Sequence, residues 1–202
     1  MFSKKELEQK IEPAIPLLKE YWNLVLKWQK VVNLISDNTI KEGWNRHVLD
    51  SAQLYFLIPE SKKILLDVGS GGGFPGLVFA ILNKVLKGSL KEITLVESDL
   101  KKSLFLEEVV RVLNLQVVVL NERIEKIQLR PDVITARAFA PLDRLFLLLQ
   151  KNVSRETILI LPKGKSVDEE IKNVPLKASV EKIQNCVNPE GCVLKIEGVE
   201  YV

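Results

Sequence analysis

Residues 64 to 76 read Ile-Leu-Leu-Asp-Val-Gly-Ser-Gly-Gly-Gly-Phe-Pro-Gly and run directly into the apolar stretch Leu77 to Leu86. This order predicts a buried strand, a glycine turn and a helix, the front end of a nucleotide-cradling α/β unit. Gly69, Gly71 and Gly73 remove side chains where the backbone must bend sharply and approach a ligand. The helix that follows offers unpaired N–H groups and the positive end of its dipole.

The remainder of the chain fits a sheet built on that unit. Short apolar runs at Ile64–Val68, Ile93–Glu97, Val117–Leu120, Val133–Ala136 and Ile158–Leu161 alternate with helical patterns over Leu77–Leu86, Leu100–Leu113 and Leu142–Lys151. Such alternation predicts parallel pairing through right-handed crossovers, a doubly wound sheet. Toward the C-terminus the rhythm changes. Asp168–Asn173 reads as a helix, and Ser179–Val187 and Cys192–Val199 read as two strands around the turn Asn188-Pro189-Glu190-Gly191, an antiparallel hairpin on the sheet edge. Ahead of the sheet lie helical patterns only. Ser3 with Glu6 forms a capping box for a helix ending near Pro13, a second helix begins at Pro16, and Thr39 with Glu42 opens a third that runs to about Leu57. A chain of 202 residues accommodates one α/β domain with an appendage, so residues 1–60 are expected as a helical extension packed onto a domain at 61–202.

Two cofactor classes suit the glycine turn. Gly71, Gly73 and Gly76 satisfy G-x-G-x-x-G, which admits a nicotinamide-dependent oxidoreductase. Asp67, however, stands two residues before the first glycine, where a carboxylate would repel a pyrophosphate. It suits a positively charged ligand such as S-adenosylmethionine. Glu97, ending the next strand, lies where either cofactor would present ribose hydroxyls, so it does not discriminate.

The substrate side is read from scattered bases. The single histidine, His47, lies beside Arg46 and one turn before Asp50 and Ser51, a segment that either folds over the ligand mouth or forms an ordinary helix-face bridge. Lys101, Lys102, Arg123, Arg137, Lys163 and Lys165 all follow strand ends, and ligands of open α/β sheets bind at those ends. A basic rim there points to a phosphate-bearing substrate. Net charge is only +3, so binding to nucleic acid would need such a local patch. Cys186 and Cys192 have no zinc or redox spacing, no metal site is expected, and no apolar run approaches the ~20 residues of a membrane span. Thr135-Ala136-Arg137-Ala138-Phe139-Ala140-Pro141 after the fourth strand lacks the Pro-Pro-aromatic device that positions an exocyclic amine. With no cysteine in the strand-helix alternation from Ile64 to Leu161 and no placed histidine-carboxylate couple, a ring nitrogen with a free lone pair is the acceptor that fits. Guanine N7 is one, and catalysis would then reduce to positioning and electrostatics.

These residues resemble the RsmG (GidB) family of bacterial methyltransferases acting on N7 of a guanosine in 16S ribosomal RNA. The likeness rests on Trp28-x-x-x-x-Asn33-Leu34, Arg46-His47-x-x-Asp50-Ser51, Asp67 to Gly76 with its Gly-Phe-Pro-Gly ending, Glu97-Ser98 with Lys101-Lys102, Arg123-x-Glu125, Arg137-Ala138-Phe139-Ala140 and Lys163-Gly164. It implies a Rossmann-like class I fold, S-adenosylmethionine as cofactor, and a cytoplasmic monomer working on 16S rRNA or the small ribosomal subunit. It further implies that Gly69 and Phe74 line the cofactor pocket, with Ile124 and Glu125 flanking the adenine and Glu97 holding the ribose, and Asp67, Gly71, Gly73 and Ser98 are expected to hold the cofactor beside them. Arg137 would reach cofactor or base, and Arg46, His47 and Arg123 would position the target. Arg46, Lys101, Lys102, Arg123, Lys163 and Lys165 would meet RNA. A noncatalytic assembly factor that keeps the same fold is the alternative from another class.

Overall fold

The structure, a computed structural model, describes residues 2–172 and 176–201. Seven described strands form one sheet in the order β3-β2-β1-β4-β5-β7-β6. Strands β1 (Ile64–Val68), β2 (Glu92–Val96), β3 (Val118–Leu120), β4 (Val133–Ala136) and β5 (Ile158–Lys163) run parallel. Strand β7 (Cys192–Tyr201) lies antiparallel between β5 and the edge strand β6 (Leu176–Gln184). The expected parallel sheet with an antiparallel C-terminal hairpin is therefore present.

Side chains alternate across a strand, and both faces are covered. On β1, Leu65 joins a core with Val78 and Phe79 of α4 (Gly76–Leu86) and Phe105 of α5 (Leu100–Val112). Its neighbour Leu66 faces Leu145 and Phe146 of α6 (Leu142–Leu149) on the other side. The N-terminal helices α1 (Lys4–Ile11) and α2 (Ile15–Trp28) add Leu7, Ile11, Leu18, Tyr21 and Val25, all fully buried, to the first of these cores. One hydrophobic core is thus shared by the extension and the sheet. The Ser3–Glu6 capping box is formed in both directions, as its spacing predicts.

Two of the boundaries that differ from the sequence reading have a plain local cause. Thr39 does not cap a helix with Glu42. Its hydroxyl donates to Ser36 O in a short 3₁₀ turn and meets His47 Nε2 at 2.8 Å, so the helical run starts only at Trp44, as a π-helical turn leading into α3 (Asp50–Tyr55). Strand β6 stops at Gln184 rather than Val187, because Asn185 turns inward and its Oδ1 accepts from the backbone N–H of Val187 and of Asn188. Helix α7 spans Val167–Lys172, and its expected end at Asn173 falls outside the described residues.

Candidate active site

The chain leaves the sheet after β1 in a turn fixed by backbone bonds. Gly69 N and Ser70 N both donate to Val96 O, at 2.9 and 3.1 Å, while Gly69, Gly71 and Gly73 hold φ values of +67°, +55° and +87° that L side chains rarely adopt. Glu97, at the end of β2, accepts from Gly71 N through one oxygen and from Asp99 N through the other, each at 2.8 Å. Beneath the turn, the buried Tyr21 hydroxyl donates to Gly72 O. Helix α2 thereby props the loop from below.

Asp67 lies under this turn rather than in the space above it. It is fully buried, its Oδ2 accepts from Gly76 N at 3.3 Å, and its Oδ1 has no partner. Burial raises its pKa to about 7, with the Glu97 charge adding to the shift. Gly73 and Phe74 are buried as well. A Cβ on Gly73 would crowd Leu77 and the Tyr21 hydroxyl, and the Phe74 ring packs 5.3 Å from Tyr21 and 5.2 Å from His47 between centroids.

Above the turn a cavity of about 500 Å³ opens, with Gly69 and Gly71 as its floor and Glu97, Ser98 and Lys102 along one side. Arg123, Ile124 and Glu125 line a second side, and Arg137 to Ala140 a third. The cavity lies at the carboxyl ends of the parallel strands, where the sheet order reverses between β1 and β4, the switch point at which such folds bind ligands. A second cavity of about 470 Å³ adjoins it, with Arg46, Asp50, Lys163 and Asn188 on its lining. Arg137, Ala138, Phe139 and Ala140 belong to both linings. Ala138 has φ +50°, and the Phe139 ring rests on the bare Cα of Gly69, where a Cβ would collide with it. The glycine turn and the wall between the cavities therefore touch.

Arg137 is the charged element of that wall. Its Nη2 donates to Arg46 O at 2.6 Å and stands 3.5 Å from Asp50 Oδ2, while its Nη1 is buried without a partner. Burial depresses its pKa and the Asp50 carboxylate opposes that shift. Asp50 in turn accepts from Gln53 Nε2 at 2.9 Å and Asn185 Nδ2 at 2.6 Å through Oδ1. Sequence reasoning placed no weight on Gln53, Asn185 or Tyr21. An amide or phenol among ordinary core residues carries no signal until the fold brings it to its partner.

The remaining expected site residues divide. Lys101 is exposed near the start of α5 and lines neither cavity, Arg123 and Lys102 border the first cavity, and Arg46 opens on the second. His47 is not at the mouth. Its ring sits between Trp22 and Phe74 with Nε2 held by Thr39, and burial together with Arg137 and Arg46 lowers its pKa to about 3, so it is neutral at pH 7. Lys163 is also committed: its Nζ lies 2.7 Å from Glu170 Oε2, with both side chains largely buried, and donates to Ala140 O. The expectation of a free rim cation there gives way to an ion pair that ties β5 to α7. Lys165 is an exposed side chain 2.9 Å from Glu190. Among the described residues there is no cluster of acidic, histidine or cysteine side chains able to hold a metal, and no helix is long and apolar enough to cross a membrane.

Sheet order, glycine turn and switch-point cavity together define a Rossmann-like methyltransferase fold. Solved structures share it: the ribosomal protein L11 methylase of Lactobacillus delbrueckii is similar at TM-score 0.58 and 14% identity, over 77% of this chain and 79% of that one. A mutant of MtNAS in complex with S-adenosylmethionine is similar at TM-score 0.57 and 14% identity, over 93% of this chain and 77% of that one. Sequence narrows the class further. Residues 14–192 match the family described as rRNA small subunit methyltransferase G, GidB. The ribosomal RNA small subunit methyltransferase G of Parvibaculum lavamentivorans is 43% identical over 189 residues, covering 90% of this chain and 82% of that protein. The chain belongs to the GidB family.

Proposed function

We propose that this protein transfers a methyl group from S-adenosylmethionine to N7 of a guanosine in 16S rRNA of the small ribosomal subunit, as a cytoplasmic monomer. The observation that carries this reading is the wall Arg137–Ala140, shared by the switch-point cavity and its neighbour, in a chain of this family. One cavity suits the donor and the adjoining one the acceptor.

The residues of the first cavity fit the cofactor. Gly71 leaves the floor open, since the nearest atom to a Cβ there would be Gly69 O at 3.8 Å. Each Glu97 oxygen accepts a single backbone N–H, which leaves lone pairs for two ribose hydroxyls. Ser98 extends that side, and Ile124 with Glu125 offers an apolar and a polar flank for an adenine. Asp67 acts through the field beneath the turn and by bonding Gly76 N, and Gly73 and Phe74 act by shaping the turn. The bound cofactor supplies an electrophilic methyl group on a sulfonium. Arg137 and Arg46 hold the target base in line, with Phe139 as the surface between the two sites.

No deprotonation is required for attack by a ring nitrogen lone pair, and the carboxylates that reach the second cavity are not free to act as bases. Asp50 is paired with Arg137 and Glu170 with Lys163. His47 orders its aromatic cluster instead. Arg46, Lys101, Lys102 and Arg123 supply the rim for RNA phosphates, with Lys165 at its margin, while Lys163 serves the fold. Residues 1–60 and 61–202 work as one packed unit.

Tritiated methyl transfer to small subunits from a strain lacking the modification, followed by mass mapping of the nucleoside, tests the reading. Label in 7-methylguanosine is expected. Label elsewhere, or binding of subunits without turnover, overturns it, the latter in favour of a noncatalytic factor. Arg123→Ala should reduce the salt slope of RNA affinity by about one unit, and Lys163→Ala should leave that slope unchanged.

A further inference from the structure

We infer that Asn185, in the turn between β6 and β7, is a positioning residue for methyl transfer, acting on Arg137 through Asp50. The inference rests on the proposed function for its kinetic consequence and on geometry for the linkage itself. Asn185 is 135 residues from Asp50 in sequence, yet its Nδ2 donates to Asp50 Oδ1 at 2.6 Å. Its Oδ1 accepts from Gln53 Nε2 at 2.8 Å and from the backbone N–H of Val187 and Asn188. Gln53 closes the ring: its Nε2 also donates to Asp50 Oδ1 and its Oε1 accepts from Cys186 N at 3.0 Å. Asp50, Gln53 and Asn185 are 7%, 1% and 4% exposed, so these bonds form away from competing water.

The ring leaves Asp50 Oδ2 as the oxygen that faces Arg137, at 3.5 Å. Arg137 is consequently gripped by Nη2 alone, between Asp50 and Arg46 O, and its buried Nη1 keeps unpaired donors at the wall common to both cavities. A guanidinium gripped through Nη2 holds the part of its surface that lines the two cavities in one fixed orientation. Rotation of the Asp50 carboxylate would swing it. Asn185 prevents that rotation, because its amide satisfies the oxygen that would otherwise seek another donor.

The exchange Asn185→Asp separates this role from turn formation. An aspartate keeps the acceptor for Val187 N and Asn188 N, so the turn persists, but it sets a carboxylate against Asp50. Methyl transfer under single turnover should fall about tenfold, with an unchanged KM for subunits. Asp50→Asn alone should lower it at least as far. Combined, the two substitutions recreate one amide donating to one carboxylate, and the double variant should be faster than the product of the single effects. Nitrogen-15 spectra of the Arg137 guanidinium give a readout independent of turnover: slowly exchanging Nη protons in the wild type, averaged in Asn185→Asp and slowed again in the double variant. Wild-type rate and spectrum in Asn185→Asp, or strictly multiplicative effects in the double variant, would overturn the inference. Should the unmodified protein show the spectral signature without methylating subunits, the proposed function fails while the linkage stands.

Discussion

The glycine turn and the wall facing it enclose the same cavity but are held by different means. On the turn side, the bond from Gly71 N to Glu97 joins residues 26 apart, and the Val96 carbonyl anchors Gly69 and Ser70 from the adjacent strand. On the wall side, Arg137 depends on Arg46 O, 91 residues away, and on Asp50, itself fixed from 135 residues away. The turn is set mainly by its two strands, with Tyr21 of α2 propping it from 51 residues away. The wall exists only when the N-terminal helices, the end of β4 and the C-terminal hairpin meet. A site with one mainly local and one nonlocal side can bind its cofactor with the first and keep alignment for chemistry with the second.

Removing the gripped cation should have the largest effect. Arg137→Ala should lower methyl transfer by about a hundredfold or more, by the loss of an oriented charge at the site, with far-ultraviolet dichroism unchanged; single-turnover assays check this. An effect confined to melting temperature would erase the division drawn between the two sides. The turn side should instead fail through stability. Gly76→Ala places a Cβ 2.5 Å from Asp67 Oδ2 and against the Leu95 side chain, and should destabilise by about 1–3 kcal/mol in denaturant unfolding. Tyr21→Phe strands the buried Gly72 carbonyl and should cost about 1–2 kcal/mol, together with weaker cofactor affinity in calorimetry.

Stability should also depend on pH. His47 has an ordinary pKa of 6.5 and one of about 3 when folded, so the unfolded chain binds the extra proton between those values. Stability should therefore fall as pH drops from about 6.5 toward 3, and His47→Leu should flatten that limb in urea titrations at stepped pH. Asp67 opposes it with the reverse sign. Its folded pKa is raised from 3.8 to about 7, so its contribution declines as pH rises through that interval, and Asp67→Asn should remove the decline.

Much of this was legible in the chain. Ile64–Val68 and Val133–Ala136 were bounded to the residue, because a run of apolar side chains buried on both faces needs no partner's identity to be recognised. The placement of Glu97 followed from the end of its strand. The surroundings of His47 and Lys163 are not legible for one reason: charge and chemistry are visible in sequence, but burial and pairing are not. His47 became an aromatic-cluster residue when Trp22 and Phe74 closed on it, and Lys163 an ion-pair partner when α7 brought Glu170 within 2.7 Å.

By itself the sequence determined the parallel sheet, the glycine turn with its flanking acids and the family, because each is encoded in contiguous residues whose spacing matches a backbone period or a backbone conformation. Tertiary structure alone decided that Asp67 lies beneath the turn, that His47 is neutral, and that Asn185 completes the grip on Arg137. Hydrogen bonds and desolvation act over a few ångströms of space whatever the separation along the chain, so such assignments arise only once distant segments share a core.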